Sequence, residues 1–251
     1  MEGKYHVQEG TKVAPEQYRI TVLAEGPYLV YGQAPLKQLF IMPNAEGSSW
    51  TYKAGAEFPT KEEPAALCRC GGSQQKPYCD GTHVTHDWDP TLTAPTDTRM
   101  VEGAETMEGP RITLTDNEKY CAFARFCDAK GRVWNLTQVD SEEARELVIR
   151  ESNHCPAGRL SAWDRETGKP FEPNWPITLG LIEDPAIQSS AGIFVIGGIP
   201  VSKEDGATYQ VRNRVALCRC GQSSNKPFCD GTHASFKWKD GIGGNPTGDE
   251  F

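Results

Sequence analysis

The 251-residue chain has no apolar stretch long enough to cross a membrane. Its longest apolar run is about Ile193 to Val201, far short of the roughly 20 residues a spanning helix needs. The opening residues, MEGKYHVQEG, carry no apolar core of the kind found in export signals, so an unexported, soluble, cytoplasmic protein is expected, with no membrane partner. Basic charge is scarce as well. Asp and Glu number 34 against 26 Lys and Arg, the formal net charge is -8, and no basic stripe is present, which argues against a nucleic-acid partner. Negative charge of this kind favours solubility and can steer the chain toward a basic partner. The usual signatures of catalysis are missing: there is no HExxH, no defensible Ser-His-Asp set and no Gly-rich nucleotide loop after a strand. GIGGNP, Gly241 to Pro246, reads as a loose C-terminal tail rather than a phosphate cradle. The expectation is therefore a protein that is not itself an enzyme. Apolar content, at 37%, is low for one large core, while 25 Gly and 18 Pro favour small, turn-rich modules held partly by metals.

What the chain does have is nine cysteines in three groups of three: Cys68, Cys70 and Cys79; Cys121, Cys127 and Cys155; Cys218, Cys220 and Cys229. An odd total made of odd groups is awkward for disulfides and suits metal ligation better. The outer groups repeat. CRCGGSQQKPYCDGTH, Cys68 to His83, returns as CRCGQSSNKPFCDGTH, Cys218 to His233, at an offset of 150. The likeness extends upstream. AALCRC matches VALCRC, YLVYGQAPL (Tyr28 to Leu36) resembles IFVIGGIPV (Ile193 to Val201), and an Ile-Thr pair at Ile20 and Ile177 opens each unit. An internal duplication organises the chain. The first copy carries extra sequence from about Lys37 to Gly55, read as a longer loop. Short β-branched and aromatic runs between Gly and Pro predict short antiparallel strands, with the cysteine motifs on loops. Asp80 and Asp230 are placed to cap a short helix carrying His83 or His233.

Each motif reads C-x-C-x8-C-x3-H and offers three thiolates and one imidazole. That is a known structural zinc set, although structural zinc usually spaces its first pair C-x2-4-C and here one residue intervenes. The pattern of C-x-C, Ser, Pro-x-Cys-Asp-Gly and His closely resembles the CDGSH iron–sulfur family, the family of mitoNEET, with Thr82 and Thr232 where the family name has Ser. The resemblance implies a [2Fe–2S] cluster in each copy. Cys68 and Cys70 would hold the inner iron and Cys79 and His83 the outer one, with Cys218, Cys220, Cys229 and His233 repeating the arrangement. A neutral imidazole in place of a thiolate removes one negative charge. It should raise the potential above the about -400 mV of all-cysteine plant-type clusters, toward the about -150 to +300 mV of two-histidine Rieske centres. Imidazole titrates near neutrality and cannot ligate when protonated, so acid should loosen the outer iron. Ser73 and Ser223 are candidates to donate hydrogen bonds to cluster sulfur, Lys76 and Lys226 to tune potential or simply to be solvated, and Arg69 and Arg219 to balance local negative charge. His86 reads as a surface residue.

Asp89 to Pro110, rich in Thr, Pro and acids, reads as a linker. Beyond it, the strand at Ile112 leads into Cys121. Ser141 to Ser152 has an N-cap Ser, early acids and apolar residues at helical spacing, and it delivers Cys155 followed by Pro156. This segment looks like a single-cluster bacterial ferredoxin, whose usual run is C-x2-C-x2-C with a remote Cys-Pro. Cys121, Cys127 and Cys155 fill three ligand positions and Ala124 stands at the remaining one. The likeness therefore implies a [3Fe–4S] cluster, or a [4Fe–4S] form completed by water or another side chain. His154 is a candidate, though neighbours on a chain rarely point the same way. The alternative is three free cysteines in a folded domain.

The expected fold is α+β. Two small β-rich CDGSH modules, 1–92 and 171–251, flank a linker and ferredoxin-like module, 93–170. The two CDGSH modules are expected to pair internally in a pseudo-two-fold monomer. Electron transfer to an unknown redox partner is the leading reading. Cluster storage, transfer to an apo-acceptor or redox and pH sensing is the second, and a structural zinc scaffold the third.

Overall fold

The computed structural model describes residues 5–250. It is mixed α+β, with twelve strands and three α-helices among the described residues. The first unit runs β1 (Arg19–Val22), β2 (Tyr28–Tyr31), β3 (Leu36–Pro43), β4 (Ser49–Phe58) and β5 (Ala65–Leu67). The middle segment supplies β6 (Glu105–Glu108), β7 (Ile112–Asp116), α1 (Val133–Thr137), α2 (Glu142–Asn153) and β8 (Leu160–Asp164). The second unit adds β9 (Thr178–Asp184), β10 (Ser189–Ile196), β11 (Val201–Lys203), β12 (Arg214–Leu217) and α3 (Thr232–Ser235). No helix is long and apolar enough to cross a membrane.

The two units exchange strands. One sheet has the order β11-β1-β2-β5 and another β12-β10-β9-β3-β4. In each, three antiparallel strands come from one unit and a parallel strand arrives from the other. β11 runs beside β1, with Ile20 opposite Val201, and β3 runs beside β9, with Leu36 opposite Leu179. Strand pairing thus crosses the divisions drawn at 1–92 and 171–251. The repeated runs Tyr28–Leu36 and Ile193–Val201 each span a home strand, a glycine turn and the start of the exchanged strand. Gly32 and Gly197 make those turns at φ 85° and 89°. A Cβ on Gly32 would lie 2.6 Å from the Gln17 carbonyl oxygen, so glycine is required there by both conformation and space.

The supposed long loop at Lys37–Gly55 is instead a β-hairpin that extends the second unit's sheet. Its register comes from a tight turn in which Asn44 Oδ1 accepts from the Glu46 and Ser48 N–H groups. Buried residues run along the middle of β3 and the first half of β4, and β9 offered an open edge. The C-terminal tail is likewise not loose. Gln38 Nε2 donates to the Gly243 carbonyl, Thr247 and Gly248 donate to the Ala54 carbonyl, and Ala54 donates to Asp249, so the tail covers the outer edge of β4. The linker ends in order as well. Met100–Gly103 forms a 3-10 turn, and β6 pairs with β7 in the third sheet, β6-β7-β8.

The helix expected at Ser141–Ser152 is α2. Ser141 Oγ accepts from the Ala144 N–H at 3.1 Å, with Glu142 and Glu143 in the first turn and Arg150 in the last. One continuous core joins all three segments, through Tyr28, Val30, Leu114, Val148, Leu160, Leu179, Ile193 and Leu217. A smaller one gathers Leu39, Ile41, Tyr52, Ala124, Phe126, Ile182 and Phe194.

Glu151 is an acid inside that fold. It is 1% exposed; Oε1 accepts from the Lys130 N–H at 2.9 Å and Oε2 has no partner. Burial pushes its carboxyl up to about 7, against the Lys130 bond. A raised carboxylate pKa stabilises the fold fully below the unfolded value of 4.5 and loses that contribution as pH rises through about 7. Glu151→Gln should therefore raise stability at pH 8 by about 2–3 kcal/mol, with the gap to wild type narrowing as pH falls toward 6 in paired thermal melts.

Candidate metal centres

The two cysteine loops fold alike because the same side chains close them. Cys68 N–H donates to the Pro77 carbonyl and Cys79 N–H to Ala66, folding the loop back onto β5; Cys218 with Pro227 and Cys229 with Ala216 repeat this on β12. Ser73 Oγ donates to the Tyr78 carbonyl and Ser223 Oγ to Phe228, both at 2.7 Å. Those hydroxyls are committed to the loop and not to the thiols, which corrects the role expected for them. Lys76 and Lys226 donate to the carbonyls of Ser73 and Ser223, and Lys226 is buried rather than solvated. Asp80 Oδ2 accepts from Gln74 N–H and Oδ1 from Thr82 N–H; Asp230 does the same with Ser224 and Thr232. The residues at the helix-cap position are Gly81 and Gly231, at φ 87° and 84°, because the chain must turn left-handed before the histidine. Each aspartate clamps the turn from one residue earlier.

The donors come in pairs. Cys68 Sγ is 3.8 Å from Cys70 Sγ, and Cys79 Sγ is 3.3 Å from His83 Nδ1. The second loop gives 3.9 Å for Cys218 and Cys220 and 3.4 Å for Cys229 and His233. Among the described residues, no three His, Cys, Asp or Glu side chains converge as they do around a single ion. Two pairs per site suit a group with two metal atoms, each holding one pair. Within each C-x-C pair one thiol is favoured as the anion by its neighbour. Cys68 is lowered to about 6 and Cys218 to about 7, chiefly by the bond from the neighbouring thiol, while Cys70 and Cys220 are raised. Each pair is poised to present a thiolate, the form that binds metal.

The sites differ in exposure. Cys218, Cys220, Cys229 and His233 are all buried, His233 at 2%. Cys79 and His83 are half-buried. Burial pushes His233 down to about 4, helped by the neighbouring Arg219 charge. His86 lies on the surface, as expected.

The middle cysteines share a cavity without converging as they would around a single ion. Cys121, Cys127 and Cys155 line one cavity with Ala124, Pro156 and Arg159. Burial pushes Cys127 up to about 12. Ala124 lies between Phe123 at φ 54° and Arg125 at φ 62°, two left-handed non-glycine residues, and belongs to the smaller core. His154 is not a ligand. Its Nδ1 donates to the Arg150 carbonyl at 2.9 Å, its ring packs among Tyr52, Phe126 and Trp175, and burial pushes it down to about 4. Arg159, which the sequence did not single out, is held by Asp116 at 2.7 and 2.5 Å beside this cavity. Arg214 on β12, also unforeseen, ties the Ser152, Cys155 and Leu160 carbonyls to Glu172.

The three sites touch in series. A Cβ on Gly71 would lie 2.5 Å from the Cys220 carbonyl oxygen, and one on Gly221 would strike the Cys70 carbonyl. A Cβ on Gly231 would lie 2.9 Å from the Cys121 carbonyl oxygen and 3.1 Å from Phe123 Cβ. Tyr28, on the first unit, donates its hydroxyl to the Cys218 carbonyl at 2.7 Å and lies 3.2 Å from that of Pro227.

Comparison with known families agrees with this layout. Residues 25–84 and 192–234 match the family described as iron-binding zinc finger CDGSH type, and residues 107–165 match the divergent 4Fe-4S mono-cluster family. No curated protein and no solved structure matches the chain.

Tyr28→Phe should leave the Cys218 carbonyl without its buried donor, while that of Pro227 keeps the Cys218 N–H. The expected cost is about 1–2 kcal/mol, a fall in Tm of roughly 2–6 °C. An unchanged melting temperature would remove that bond from the account of how the units are joined.

Proposed function

Two segments of this iron–sulfur protein belong to the CDGSH family and the one between them to a divergent ferredoxin type, and from this we propose that the chain is an electron-transfer protein with three clusters in file. Cys68, Cys70, Cys79 and His83 hold one [2Fe–2S] cluster, and Cys218, Cys220, Cys229 and His233 a second. Cys121, Cys127 and Cys155 hold a third, [3Fe–4S] because Ala124 supplies no ligand, with [4Fe–4S] as the variant. When bound, such clusters supply one-electron chemistry. The residues around them hold the thiolates, exclude water from the second site and leave the first open at its histidine edge.

The observation that carries this reading is the backbone contact from Gly71 to Cys220 and from Gly231 to Cys121, which sets three donor groups side by side. The proposed role is that of a carrier acting with a partner protein. The exchanged strands favour a monomer with its pair of CDGSH units inside one chain, and a sedimentation mass near 27.6 kDa is the corresponding expectation. A second reading, cluster donation to an apo-acceptor, draws on the half-buried Cys79 and His83. Paired rather than convergent donors weigh against a zinc scaffold.

Iron, zinc and acid-labile sulfide per chain test the proposal. About seven iron and eight sulfide are expected with all three sites filled, and about four of each if only the CDGSH sites are occupied. Zinc without sulfide would sink it. Acid should act unequally, because solvent reaches His83 and not His233. Visible absorption should bleach in two steps as pH falls, with the first site lost before the second. His83→Cys should slow the first step; if both steps persist unchanged, the histidine assignment is wrong.

A further inference from the structure

The two cysteine loops are copies, yet the arginine between the paired thiols is answered differently in each. Arg69 is 1% exposed and its hydrogen bonds all go to backbone oxygen. Nε donates to Gly26 at 2.7 Å, Nη1 to Pro90 at 2.9 Å, and Nη2 to Leu23 and Ala24 at 2.9 and 2.8 Å. Among the described residues no carboxylate pairs with it; the exposed Asp89 acts on it only from a distance. Arg219 is also buried, at 3%, but meets two acids. Nη1 donates to Asp240 Oδ2 at 2.7 Å and Nη2 to Glu183 Oε1 at 2.8 Å, with Ala191 and Ile182 carbonyls completing its bonds. Asp240 stands 150 residues after Pro90, the offset of the repeat, so the same guanidinium nitrogen finds a carbonyl in one copy and a carboxylate in the other. Leu23 and Ile182 offer the same carbonyl, and the next residue is Ala24 in one and Glu183 in the other. Ser190 fixes both acids, donating to Glu183 Oε2 at 2.6 Å and accepting from the Asp240 N–H at 3.1 Å.

Given the [2Fe–2S] occupancy proposed above, we infer that Glu183 and Asp240 make the second site the electron donor and the first, beside an unopposed Arg69, the acceptor. Reduction adds negative charge. A buried cation stabilises that charge; Arg69 acts on Cys70 of its own site and on Cys218 across the joint, whereas Arg219 is already answered by two carboxylates. The other charged groups of the two motifs make corresponding bonds, Lys76 as Lys226 and Asp80 as Asp230, although Lys226 is the more buried lysine. Exposure acts in the same direction, since water at Cys79 and His83 favours the more charged reduced form. The step is one electron. A low-potential one-electron donor reduces the second site, which is reoxidised as the first site is reduced, with no bond or proton moved. The half-buried His83 edge is then the exit.

The test is an EPR-monitored redox titration of the full chain, made after iron and sulfide analysis has shown the [2Fe–2S] clusters present; their absence would fail the occupancy reading, not this inference. Two one-electron steps are expected, with the electron in half-reduced protein on the first site by about tenfold or more. His83→Cys should move only the higher step. E183Q with D240N should raise the lower step toward the upper. E183Q alone, nearly isosteric and partly exposed, serves if the double variant does not fold. The inference is overturned if the higher step belongs to the second motif, or if these variants keep both clusters and leave the steps in place.

Discussion

Everything in this molecule is arranged around the contact between two backbone turns. Cys70-Gly71 and Cys220-Gly221 press against each other so closely that neither glycine has room for a side chain. Both glycines are left-handed, at φ 81° and 78°. The approach brings one C-x-C pair to the other, and the exchanged strands follow from it. With the loops face to face, β3 and β11 each leave their own unit at a glycine turn and reach the open edge of the other sheet. Pairing across the joint then satisfies backbone groups that would otherwise line an exposed edge.

The middle segment closes the arrangement on one side only. Gly231 abuts Cys121, Tyr120 packs edge-on against Phe228 at 5.2 Å, and Arg212 lies between those two rings at 4.9 and 5.0 Å. The second site is sealed by these contacts, and its histidine cannot easily hold a proton. The first site has no such lid. Its Trp88 donates from Nε1 to the His83 carbonyl at 3.1 Å and lies under the Arg69 guanidinium at 4.5 Å, leaving the histidine edge half open.

The sites were legible in the sequence because ligand chemistry is local. Spacing within sixteen residues and a repeat at a constant offset name Cys68 to His83 and Cys218 to His233 without any knowledge of the fold. The capped helix α2 was legible for the same reason, since Ser141 and the acids after it act within one turn. What stayed hidden is long-range. Nothing near Leu36 says that its strand will lie beside Leu179, and the 37–55 insertion reads as loop when the sheet edge it joins, β9, is more than a hundred residues away. Side-chain roles misread from the motif, such as Ser73 and the capping Asp80, turned on a backbone conformation at Gly81 that the spacing does not reveal. The Trp88 and Trp238 pair keeps the offset of 150, so the repeat extends past the histidines.

Joining the two units in one chain has a consequence for how they can change over time. In a pair built from identical chains, any substitution appears on both sides at once, and a change that suits one site is imposed on the other. Here the strands that bind the units together are covalently part of the same molecule, so the joint survives while each half varies alone. Asp240 opposite Pro90, and Glu183 opposite Ala24, are differences only such a fused pair can keep. Duplication supplied the symmetry, and fusion gave the freedom to depart from it.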